Sequence, residues 1–185
     1  MRKFLTYTAT KVFVDSVTHG SISVLIGFIF IQFYDVPLWL LLIVMFVFGV
    51  LVDYDHVFYY KRKHPEIRLW NIPQLIKLYF KTVDERDEFI YHTWLHEPFG
   101  VLVVCGFSYL IFGFTIYPEL TILASSCFVA HYLVDLISGK MKPLAPFSNK
   151  VTIDLKILPA NAFTITGIAL GTFLVALIIF ISFKP

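Results

Sequence analysis

The chain has 185 residues and a formal net charge of +2, and 58% of it is apolar, with 18% aromatics and a mean hydropathy of +0.77. That length suits one domain, residues 1–185. The polar residues are too few to cover an ordinary water-facing domain, and the basic residues are not grouped for nucleic acid, which is not expected as a partner. Cys105 and Cys127 both lie in apolar runs. They fit neither a disulfide framework nor a thiolate zinc site, which needs close cysteine pairs.

Met1, Arg2 and Lys3 resemble the start of a signal peptide, but Lys11, Asp15 and His19 interrupt the apolar stretch that should follow. The first apolar run covers Val17 to Phe33. Asp35 and Pro37 break it, and a second run extends from Trp39 to Val52. Lys61 to Tyr91 is polar, with Ile72, Leu75, Ile76 and Tyr79 at the spacing of an amphipathic helix. Further apolar runs lie between Pro98 and Tyr117, Glu119 and Leu136, and Ala162 and Phe183. Pro143, Pro146 and Pro159 oppose a long helix between the last two. A membrane span needs about 20 apolar residues, so this pattern predicts an all-α polytopic membrane helix bundle of about five spans with a cytoplasmic-side cap. Lysine and arginine collect before the first run, between the second and third, and between the fourth and fifth. The positive-inside rule then puts the N-terminus in the cytoplasm of a plasma (inner) membrane protein.

On that topology the histidines and carboxylates fall at one level. His19 opens the first run; Asp53, Asp55 and His56 close the second; His92 and His96 precede the third; His131 and Asp135 close the fourth. Ionisable residues in apolar helices are costly and mark function. His131 and Asp135 are four apart and share a helical face, as do His92 and His96 if that segment is helical, and Asp53 and His56 at a spacing of three. All eight are candidate metal ligands. Imidazole with carboxylate suits zinc, with manganese or iron as alternatives, and the supply of residues allows about one to three ions. Asp53 and Glu97 are the candidate catalytic groups, although Glu97, just before Pro98, also reads as a helix-start charge. His64, among Lys and Pro, reads as a solvated surface residue.

These residues resemble the pattern of the membrane-bound metal-dependent hydrolases. The matching positions are Thr18-His19, Asp53-Tyr54-Asp55-His56, His96, His131 with Asp135, Gly139, and Pro146-Phe147-Ser148. Val52 stands where the family usually has Pro, and His92-Thr93-Trp94-Leu95-His96-Glu97 departs from its Arg-Gly-x-Thr-His-Ser. The resemblance implies a divalent metal and hydrolysis of a phospholipid or other lipid-linked phosphoester at the cytoplasmic membrane face, with membrane lipid as partner and a lipid-like substrate. A metal-binding membrane transporter or sensor without hydrolytic activity is the competing expectation. A His/Asp network that only locks helix ends is the third.

Overall fold

The computed structural model describes residues 17–54, 94–138, 140–148 and 152–154, together with 65, 66, 68, 71, 74, 171–173, 175, 178 and 182. Helix α1 takes in residues 17–30. Its last turn closes through the Phe30 carbonyl, which accepts the N–H groups of Phe33 and Tyr34 at 3.0 and 3.1 Å. The chain then reverses, and Pro37, which cannot continue a helix from behind, stands as the N-cap of α2, Leu38–Gly49. A 3-10 turn, Leu51–Tyr54, follows. A second one, Trp94–His96, leads into α3, Pro98–Phe112, with proline at the first helical position, where its missing N–H costs nothing. Helix α4 is Leu120–Ser138. Beyond it Lys140–Met141 (β1) pairs antiparallel with Ile153–Asp154 (β2), Lys140 opposite Asp154. The intervening turn holds a cis Ala145–Pro146 bond.

Helices α1 and α2 form an antiparallel pair: Gly27 faces Met45 and Gly49 faces Ser23. The second approach is close. A Cβ on Gly49 would overlap both the Cβ and Oγ of Ser23, so only glycine permits the crossing at this depth. Helix α4 packs on both α2 and α3. The core contains Phe30 from α1, Leu41, Val44, Met45 and Phe48 from α2, and Leu120, Leu123, Ala124 and Cys127 from α4. Burial of such side chains contributes about 1.5–3 kcal/mol each.

Among the described residues, no helix is long and apolar enough to cross a membrane. This overturns the expected membrane bundle of five spans, and with it the transmembrane and inner-membrane assignment, the cytoplasmic N-terminus and a site at a cytoplasmic membrane face. The physical reason is how turns divide the apolar runs. Helix α2 has 12 residues and α3 has 15. At 1.5 Å per residue they reach about 18 and 22 Å, against a hydrocarbon thickness of about 30 Å. Helix α4 has 19 residues, but His131 and Asp135 occupy its last two turns. Of the fifth run, the described positions 171–173, 175, 178 and 182 are helical.

The outer faces keep the apolar character of the composition. Leu38, Trp39 and Phe46 on α2, and Leu102, Phe107 and Leu110 on α3, are exposed. Apolar side chains exposed in this number suit an interaction face.

Candidate metal centre

The site grows out of one stripe on α4. Leu120, Leu123, Ala124 and Cys127 recur at helical spacing toward α2 and α3, and the same stripe continues into His131 and Asp135. The last apolar member, Phe128, lies parallel to the His131 ring, with centroids 6.3 Å apart. The side chains of His131 and His19 are almost fully buried, and Asp135 is 19% exposed. The cluster therefore opens to solvent on its Asp135 side.

His19, from the first turn of α1, stacks on His131 with ring centroids 3.7 Å apart and planes inclined by 18°. Its position is fixed from below: Ser23, one turn on, donates its hydroxyl to the His19 carbonyl at 2.9 Å. Asp135 bridges the Nε2 edges of the two imidazoles. Its Oδ1 is 3.3 Å from His19 Nε2, and its Oδ2 is 3.3 Å from His131 Nε2. His96 enters from the turn before α3. Its Nε2 is 3.2 Å from His131 Nε2 and 3.8 Å from Asp135 Oδ2.

Hydrogen bonding fixes the chemistry of His131. Its Nδ1 is 3.0 Å from the carbonyl oxygen of Gly49. A carbonyl only accepts, so Nδ1 carries the hydrogen. In a neutral imidazole this leaves the Nε2 lone pair directed at a carboxylate oxygen and at a second imidazole. That lone pair can accept an N–H from His96, or a cation, either a proton or a metal, can lie between it and the carboxylate. Burial pushes the Asp135 carboxyl up, but with no metal bound, protonated His131 and His19 beside it, with their hydrogen bonds, outweigh this and hold it well below the usual carboxylate range. The carboxylate is thus an anion available to a cation.

The ligand atoms of His19, His131 and Asp135 lie within 4.8 Å of one another, and these three residues could hold a metal ion. The spacing fits the donors. Tetrahedral zinc with bonds of about 2.0–2.1 Å holds its ligand atoms about 3.3 Å apart, close to the separations above. A carbonyl on the far nitrogen of a ligand histidine is the usual outer support of such a centre, because it fixes both tautomer and ring orientation.

Of the residues predicted from the sequence, His19, His96, His131 and Asp135 come together. Asp53 lies on the 3-10 turn Leu51–Tyr54, just beyond Gly49, and only its backbone is described. Asp55, His56, His92 and His64 lie outside the described residues. Glu97 is the N-cap residue of α3 but makes no side-chain cap bond there. Instead its buried carboxylate accepts the Lys142 N–H through Oε1 at 2.7 Å. The sequence reading missed Gly49 and Ser23. A glycine near the end of an apolar run was the only mark of the first, and nothing in the sequence marks a backbone carbonyl as the partner of a histidine 82 positions away.

No family model matches the chain, and comparison with curated proteins and with solved structures finds no match.

Proposed function

We propose that this protein is a metal-dependent hydrolase of phosphoesters, with one divalent cation, zinc best suited to the donors, held by His19, His131 and Asp135 and by His96 as a fourth group. The observation that carries the reading is the Gly49 carbonyl on His131 Nδ1, which turns the opposite lone pair toward Asp135 Oδ2 at 3.3 Å. Bound by these four groups with a further position left open to water, such a cation would lower the pKa of that water and neutralise charge developing on a phosphoryl oxygen. The chain's own residues do the rest. Phe128, buried beside His96 and His131, keeps water from the inner side of the cluster. Asp135 stands at the solvent side, where a substrate phosphate would arrive. Asp53 is the candidate base, by its place on the turn after Gly49. The motif resemblance to the metal-dependent hydrolases supports the reaction class and rests on the quoted residues alone.

The test is metal analysis of the purified protein beside turnover of three probes: a soluble phosphomonoester, a soluble phosphodiester and a lipid phosphoester in detergent. The expected result is turnover that is lost on chelation and restored by zinc, and lost in His131→Ala. Bound metal with no turnover of any probe would favour the sensor or transporter reading. No bound metal and no turnover would leave only a His/Asp network that locks helix ends.

A further inference from the structure

The segment that delivers His96 is short. It is a three-residue 3-10 turn, Trp94–His96, folded back on the first turn of α3. Gly100 makes that fold possible, since a Cβ there would overlap the Leu95 backbone. A turn this short makes few hydrogen bonds of its own, so contacts with other elements help to set the direction of its last side chain. Something must hold it against α4, where the other groups of the cluster lie.

Besides the contacts of His96 itself with His131 and Asp135, two further contacts among the described residues join the start of α3 to the chain that leaves α4. Glu97 Oε1 accepts the backbone N–H of Lys142 at 2.7 Å, across 45 positions of sequence. Two residues further along, Phe99 packs edge-on against Phe147, with centroids 5.1 Å apart. Lys142 belongs to the chain that leaves α4 immediately beyond Asp135 and Ser138. The Glu97 carboxylate is 1% exposed, so this is a charge-assisted bond out of water, short and directional. It joins the residue after His96 to the segment after Asp135, the two ends whose separation sets the 3.8 Å between His96 Nε2 and Asp135 Oδ2.

We propose that Glu97 is a positioning residue of the metal centre: by accepting the Lys142 N–H it locks the Trp94–His96 turn to the chain leaving α4 and brings His96 to Asp135 as the fourth ligand. This rests on the metal reading above and revises the role expected of Glu97 from proton transfer to support.

Cobalt(II) is the probe, because its visible absorption responds to the number and kind of its ligands. Metal-free protein is titrated with cobalt as wild type, His96→Ala, Glu97→Ala and Glu97→Gln. Glu97→Ala should give the spectrum of His96→Ala and bind cobalt roughly 10–100-fold more weakly than wild type, the usual cost of losing a supporting group. Glu97→Gln, whose amide oxygen can still accept the Lys142 N–H, should restore the wild-type spectrum and turnover. A wild-type spectrum and affinity in Glu97→Ala would overturn the inference while leaving the metal reading intact. So would a Glu97→Gln variant with the wild-type spectrum and no turnover, since that would make Glu97 a proton-transfer group. If Glu97→Ala does not fold, Glu97→Gln decides alone: a retained spectrum with turnover supports the inference, and a changed one overturns it. Wild-type protein that takes up no cobalt would overturn the metal reading, and this inference with it.

Discussion

The two halves of α4 offer one helix face with two chemistries. From Leu120 to Phe128 the face is apolar and shut: Leu123, Ala124, Cys127 and Phe128 are fully buried against α2 and α3. From His131 to Asp135 the same face presents an imidazole and a carboxylate to His19 and His96. The first half needs only volume and apolarity, and tolerates exchange among residues of similar size. The second needs a cation or protons to relieve facing acceptors, and a carbonyl from α2 to orient the ring. Damage to the first half should therefore appear as lost stability with the metal retained, and damage to the second as lost metal with the fold retained.

The largest effect expected on this contrast is in Asp135→Ala. Metal affinity and turnover should fall by more than the roughly 100-fold typical of losing an outer supporting group. The carboxylate sits near the negative end of its helix, which offsets part of the stability its contacts with His19 and His131 give the metal-free fold, so its removal should leave the chelated protein folded but less stable. Metal content and thermal unfolding of the chelated variant check both halves of that statement. A variant that keeps its metal would erase the distinction between the two halves.

Leu123→Ala probes the other half. The side chain is fully buried, so the loss should be about 2–5 kcal/mol of folding free energy. The folded fraction should still bind one equivalent of metal with wild-type affinity. Denaturant unfolding, with metal analysis at low temperature, is the measurement. A loss of metal from protein that remains folded would show that the core and the centre are one unit.

Gly49→Ala lies where the two halves meet. Its Cβ would overlap Ser23, pushing α1 away and carrying His19 with it, while the Gly49 carbonyl would shift from His131. Overpacking of this kind costs about 1–3 kcal/mol, and metal affinity should fall roughly 10–100-fold. Ser23→Gly in the same chain should recover part of both, because it removes the atoms that clash.

The smallest effect is chemical. Burial pushes the Cys127 thiol up to about 12, against a smaller opposing pull from Ser23. At pH 8 about one molecule in ten thousand then carries the thiolate, the reactive form. Maleimide should label the half-buried Cys105 in native protein and reach Cys127 only after unfolding. Fast native labelling of Cys127 would mean that the apolar half of α4 is not shut.

The sequence made parts of this legible for physical reasons. The spacing of His131 and Asp135 fixes a shared helix face whatever the fold, so their pairing was readable. His19 and His96 were readable as ionisable residues at the edges of apolar runs. The membrane bundle was misread because hydropathy reports the polarity of a run and not where its helix stops: α2 ends at Gly49 and α3 at Phe112, both short of a span. The Gly49 carbonyl and the Lys142 N–H left no trace, because every residue but proline carries the same backbone groups and only tertiary packing selects among them.

The central claim is that a metal ion sits among the ligand atoms of His19, His131 and Asp135, which lie within 4.8 Å of one another. Anomalous diffraction at the zinc edge, on crystals of protein purified without chelator, tests it most directly. The account predicts one peak about 2.0–2.2 Å from an imidazole nitrogen of each of His19 and His131 and from an Asp135 oxygen, with a further nitrogen from His96. Crystals soaked in zinc that show no peak at these residues, or a peak only elsewhere, would contradict it.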